Sequence, residues 1–131
     1  MRHFIDLADW STEDLRQLLD LAVELKKEWH AGGNKPVLKG KALAMVFQKP
    51  SLRTRATFEI AVRELDGDVI APERDVALGA REAVADVARN LERWVAAVVI
   101  RTFHQERLQA FATAAPKLHV INALRIRNIP A

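Results

Sequence analysis

Apolar positions along the chain alternate between two rhythms, helical spacing and short unbroken runs. Leu15, Leu18, Leu19, Ala22 and Leu25 fall on one side of a helix. Ser11 is placed to cap that helix, and Glu13 and Asp14 put negative charge in its first turn, where the peptide dipole favours it. The pattern frays near Trp29 and stops at Gly32-Gly33-Asn34. After a short turn at Lys39-Gly40-Lys41, Ala42-Leu43-Ala44-Met45-Val46-Phe47 forms a continuous apolar run of strand length. Pro50 ends it, because proline has no N–H for a sheet ladder. From Ser51 the spacing is helical again, through Phe58, Ala61, Val62 and Leu65. Asp66-Gly67-Asp68 predicts a turn and Val69-Ile70 a second short strand. Residues 72–81 read as a loop, with Gly79 free to take positive φ. Val84, Val87, Ala88 and Leu91 predict a third helix, and residues 95–100 a third strand ending at Arg101. Leu108, Phe111 and Ala112 predict a fourth helix, and residues 118–121 a fourth strand.

Strands therefore alternate with helices, and the longer strands are apolar at every position. That combination predicts an α/β fold: a three-layer domain with a parallel four-stranded sheet flanked by helices. At 131 residues the chain makes one domain with a substantial core, and it shows no internal repeat or low-complexity segment.

Composition narrows the function classes. With no cysteine there is neither a disulfide framework nor a thiolate metal site, which fits a cytoplasmic protein. No apolar run approaches a membrane span, and Met1-Arg2-His3 leads into no secretory core. The net charge of +3 arises from 20 basic and 17 acidic residues mixed along the chain. A pI near 9.6 raises the possibility of a nucleic-acid binder, but no stripe of Lys and Arg interleaved with aromatics is present. A solvated mixed surface explains the charge, and no nucleic acid or membrane partner is expected.

The chemistry concentrates where the first strand hands over to its helix. Ser51, Arg53, Thr54 and Arg55 sit at the opening turn, whose backbone N–H groups lack helical partners and carry the positive end of the dipole. Hydroxyls, guanidinium forks and free N–H groups together suit a tetrahedral oxyanion such as phosphate. An isolated Ser-x-Arg-Thr-Arg is as readily an N-cap with solvated arginines; the strand before it and the helix after it favour the anion site. Arg101, at the end of the third strand, joins the same edge, since ligands of open parallel sheets lie beyond the strands' carboxyl ends. Arg55 and Glu59 are spaced to pair along the helix, with each other or with neighbours, so Arg55 reads as structural. His104 follows nearby, but nothing orients it as a base.

Phe47-Gln48-Lys49-Pro50-Ser51-Leu52-Arg53-Thr54-Arg55-Ala56-Thr57-Phe58-Glu59 closely resembles the carbamoyl phosphate signature of the aspartate/ornithine carbamoyltransferase family. Lys49 before the proline resembles the ornithine branch. Val99-Ile100-Arg101-Thr102-Phe103 is similar to a second family segment whose Arg contacts carbamoyl phosphate, and weaker similarity runs from Phe4 to Leu124. The resemblance implies that residues 1–124 are a carbamoyl phosphate-binding domain. Ser51, Leu52, Arg53, Thr54 and Arg101 would bind carbamoyl phosphate, and Arg53 and Arg101 would be catalytic. Leu52 stands where the family more often has Thr, so only its backbone N–H would contribute. The implied reaction carbamoylates ornithine to citrulline, without metal or organic cofactor, in a homotrimer whose ornithine site lies in a second domain.

Two departures stand out. The segment Asp75-Val76-Ala77-Leu78-Gly79 resembles a family loop that reaches into the next subunit's site, yet Ala77 has no polar group to offer, and Arg81 is only a weak substitute. After Leu124 residues 125–131 stand where the family has a His-Pro-Cys-Gln segment, and these 131 residues are expected to hold no second domain. A family-like stretch encoded ACG GAT CCG GAA CAT CCC TGC CAG, deprived of its first A, translates as Arg-Ile-Arg-Asn-Ile-Pro-Ala, which is this tail. A one-nucleotide frameshift is thus one expectation, an unrelated terminus the other, and the coding DNA distinguishes them. The expected function is the carbamoyl phosphate-binding half of an ornithine carbamoyltransferase, inactive alone. The alternatives are a non-catalytic anion-binding or assembly module and an aspartate carbamoyltransferase-like relative.

Overall fold

The computed structural model describes residues 2–47, 52–71, 84–102 and 105–123. In chain order it contains a 3-10 turn (Leu7–Asp9), α1 (Thr12–His30), β1 (Ala42–Phe47), α2 (Leu52–Glu64), β2 (Asp68–Ile70), α3 (Val84–Trp94), β3 (Ala97–Arg101), α4 (Gln105–Ala114) and β4 (His119–Asn122). The strands form one parallel four-stranded sheet in the order β2-β1-β3-β4. The predicted α/β alternation is the observed one, with strand boundaries displaced by a residue or two. Val95 still closes α3, its N–H reaching the Leu91 carbonyl at 2.9 Å, so β3 begins later than its apolar run.

Both faces of the sheet are apolar because both are covered. Ala44, Val46, Val98, Ile100 and Val120 pack against Val87, Ala88 and Leu91 of α3 and Leu108 and Phe111 of α4. The alternate residues Leu43, Met45 and Val99 face Val62 and Phe58 of α2, with Leu38 alongside. This two-sided burial explains why β1 and β3 carry no polar alternation. Fully buried side chains such as Phe111, Leu108 and Ile100 each contribute about 1.5–3 kcal/mol of transfer free energy.

The turn at Asp66-Gly67 shows how α2 is ended. Asp66 takes φ 67°, and the Gly67 N–H returns to the Val62 carbonyl at 2.9 Å. An added Cβ on Gly67 would lie 2.8 Å from Val62 Cγ1, so this position needs glycine for space.

The structure decides two points that the sequence pattern leaves open. α1 is capped by Ser11, whose Oγ accepts the Asp14 N–H at 3.0 Å, but its apolar face is not a core face. No residue of α1 is buried, and Leu18 and Leu19 remain 40% and 68% exposed. Periodicity reports which residues share a face and is silent on what covers it. Of the partners open to Glu59, the structure takes its helical neighbour Arg63, at 3.2 Å. An acidic residue one turn N-terminal to a basic one is the orientation that the helix dipole favours. The predicted loop at 72–81 with Ala77, Gly79 and Arg81, the residues Ser51 and His104, and the tail from Leu124 onward lie outside the described residues.

Candidate functional site

The parallel register aligns the carboxyl ends of three strands. Phe47, the last residue of β1, stands opposite Arg101, the last residue of β3, and Ile100 stands opposite Asn122 at the end of β4. α2 begins at Leu52, shortly beyond the end of β1, so its N-terminus belongs to this edge of the sheet.

Among the predicted site residues that are described, Leu52 is 83% exposed, Arg53 is exposed and Thr54 is half-buried. Arg53 makes no ion pair among the described residues. Arg101 is half-buried and is followed by Thr102, which is 1% exposed. The edge therefore offers an accessible guanidinium on a helix's first turn and a second one seated at a strand end. Leu52, Arg53 and Thr54 are the first three residues of α2, whose N–H groups have no acceptor within the helix and are left for another.

The first turn is braced from behind. Thr57 Oγ1 donates to the carbonyls of Arg53 at 2.8 Å and Thr54 at 3.0 Å. These bonds occupy carbonyls whose direction is opposite to the N–H groups, so they hold the turn without blocking its donors. Sequence reasoning passed over Thr57; its position three and four residues after Thr54 and Arg53 was the available signal.

The far side of the edge is supported by the N-terminal segment, which sequence reasoning also missed. Phe4 bridges in parallel to Ile121, the Asn122 N–H donates to the Phe4 carbonyl at 2.7 Å, and Asn122 Nδ2 donates to the Ile5 carbonyl at 2.9 Å. The Ala123 N–H donates to the Ile100 carbonyl at 2.8 Å, tying β4 to β3 immediately before Arg101. Among the described residues no group of three or more His, Asp or Glu side chains is gathered as a metal site, and no helix is long and apolar enough to cross a membrane. Chemically, the arrangement can neutralise and orient a small oxyanion.

Comparison with known proteins gives the same picture. The profile of the aspartate/ornithine carbamoyltransferase carbamoyl-P binding domain matches residues 2–130. Ornithine carbamoyltransferase of Thermus thermophilus is 43% identical over 130 residues, covering 98% of this chain and 42% of that protein. The crystal structure of ornithine carbamoyltransferase from Thermus thermophilus superposes with a TM-score of 0.83 at 44% identity, covering 94% of this chain and 42% of that one. Ornithine carbamoyltransferase from Pyrococcus furiosus gives a TM-score of 0.89 at 36% identity, covering 95% of this chain and 40% of that one. The chain thus spans about 42% of the length of the Thermus relative it matches.

Proposed function

The chain belongs to the aspartate/ornithine carbamoyltransferase family through its carbamoyl-P binding domain, and we propose that it is the carbamoyl phosphate-binding half of an ornithine carbamoyltransferase. The observation that carries this reading is the alignment of the α2 N-terminus and Arg101 on one sheet edge, set by the pairing of Phe47 with Arg101. The ornithine acceptor is favoured over aspartate by identities of 36–44% to ornithine enzymes.

In the proposed reaction, the neutral δ-amine of ornithine attacks the carbonyl carbon of carbamoyl phosphate. The tetrahedral intermediate collapses with cleavage of the carbon–oxygen bond to phosphate, and the amine loses a proton, giving citrulline and phosphate. Ser51, Arg53, Thr54 and the Leu52 N–H hold the phosphoryl group. Arg101 spans phosphate and carbonyl oxygen, where charge grows as the intermediate forms. Preorganised donors of this kind supply the largest share of catalysis, and holding both substrates together adds to it. The acceptor amine needs residues beyond this chain, so turnover requires the remainder of a family-length protein, assembled as a cytoplasmic homotrimer in arginine biosynthesis. The isolated chain binds carbamoyl phosphate and forms no citrulline.

Calorimetric titration tests this. Carbamoyl phosphate binds the parent chain, and Arg53→Ala weakens binding at least tenfold, since a charge-assisted hydrogen bond is worth about 1.5–3 kcal/mol. Equal affinity of parent and variant would overturn the assignment. A nucleic-acid binder would instead show steep, anion-nonselective salt dependence.

A further inference from the structure

The N-terminal segment is held to β4 by a pair of histidine contacts of opposite sense. His3 Nδ1 accepts the Val120 N–H at 3.0 Å, and His119 Nδ1 lies 2.7 Å from the Arg2 carbonyl, to which it can only donate. Between them the Phe4 N–H donates to the Val120 carbonyl at 2.9 Å and the Asn122 N–H to the Phe4 carbonyl at 2.7 Å. The segment is anchored at its other end as well. The Arg2 guanidinium stacks 3.9 Å over the Trp10 ring and pairs with Asp14 of α1 at 2.7 Å. Trp10 Nε1 donates to the His3 carbonyl at 3.2 Å, and the Phe4 and Trp10 rings meet at 5.1 Å.

We propose that residues 2–5 are a proton-gated fifth strand, docked on the β4 edge while the His3 imidazole is neutral and released when it takes up a proton. The geometry makes the two histidines unequal. A donor to a carbonyl keeps its bond whether or not the ring is charged, so His119 does not gate the contact. An acceptor loses its lone pair on protonation, and two N–H groups then face each other at the Val120 amide. A half-covered donor left without a partner costs free energy that the docked state must bear.

The charges around His3 push in the same direction. On β4 stands His119; the chain's own amino group adds positive charge; on α1, Asp14 is engaged by Arg2. In the 3-10 turn region, Asp6 Oδ1 accepts the Ala8 N–H. Burial first, then His119 and the amino group, lowers the His3 pKa below its ordinary 6.5. A base whose pKa is depressed by docking contributes stability above 6.5, and that stability is lost as the pH falls through 6.5 and below. Release would uncover the backbone groups of the β4 edge and remove the bonds to Asn122, which lies opposite Ile100, the neighbour of Arg101.

Amide hydrogen exchange by NMR on the intact chain, corrected for intrinsic rates, tests the proposal. Between about pH 7.5 and about pH 5.5, protection at Val120 and Asn122 is expected to fall several-fold, bounded at about tenfold per pH unit for one proton. Val99, in the central ladder, should keep its protection, and the midpoint of the fall should track the His3 ring signals and not those of His119. His3→Asn, whose amide oxygen can accept without titrating, should abolish the pH dependence. A fall shared by Val99, a midpoint that follows His119, or an unchanged dependence in His3→Asn would each overturn it. Should His3→Asn fail to dock, the wild-type midpoint alone decides between support and refutation.

Discussion

Substituting Gly67 by alanine sets two effects of opposite sign against each other, and the structure decides the balance. Replacing glycine normally stabilises by about 0.4–1 kcal/mol through the unfolded chain, where alanine has less freedom to lose. At this position the new Cβ meets Val62 Cγ1 at 2.8 Å, Leu38 Cβ at 3.1 Å and the Val62 carbonyl oxygen at 3.3 Å. Val62 is buried in the α2 layer and β-branched, so within a helix it has essentially one χ1 rotamer and cannot swing aside. Relief must come from backbone movement at the Gly67–Val62 hydrogen bond that ends α2. Overpacking of this kind costs about 1–3 kcal/mol. The net effect of Gly67→Ala therefore runs from about no change to a destabilisation of about 2.6 kcal/mol. In urea unfolding, with a slope of about 1–3 kcal/mol/M, the midpoint should drop by at most about 0.9–2.6 M, without a change in slope. Combining Gly67→Ala with Val62→Ala should recover part of the loss relative to additivity, because the second change removes the clashing methyl. A variant more stable than the parent, or strict additivity in the pair, would refute the steric reasoning.

Other outcomes follow from the same coordinates. Phe111→Ala removes a ring with 0% exposure between α4 and the sheet, and should cost about 3–5 kcal/mol, seen as a large fall in the thermal or urea midpoint; a loss below about 1 kcal/mol would mean that the α3–α4 layer is not packed as described. Asp14 is held below the ordinary 3.8 by hydrogen bonding from Ser11 and then by the Arg2 guanidinium, so its contribution is present above 3.8 and lost as the pH falls further. Carboxyl NMR titration should place its midpoint below 3.8 and Ser11→Ala should move it upward; a wild-type midpoint at or above 3.8 would contradict the cap geometry.

Much of this architecture was legible before any coordinates. The runs at residues 42–47 and 95–100 carry no polar alternation because each strand is buried on both faces, and that is the signature of a covered parallel sheet. The α2 start was legible because Pro50 cannot extend a strand ladder and helical spacing resumes from Ser51. The fate of α1 was not, since five co-facial apolar residues look the same whether or not a layer covers them, and the chain spans about 42% of its Thermus relative. The partner of Glu59 was also ambiguous, with Arg55 and Arg63 equally spaced on either side; the dipole-favoured orientation decided it. The docking of Phe4 on Ile121 involves pairing across more than a hundred residues, which no local pattern encodes. In the site, the helix corner and Arg101 could be named from residue type and position, whereas the Phe47–Arg101 register that aligns them is a property of the assembled sheet.

The central claim is that a phosphoryl group is caught where α2 begins, beside the end of β3. Backbone NMR of the chain titrated with carbamoyl phosphate tests it most directly. The account predicts that the largest amide shifts fall on Leu52, Arg53, Thr54 and Arg101, with α3 and α4 silent. Saturating shifts confined to other elements, or none at millimolar ligand, would contradict it.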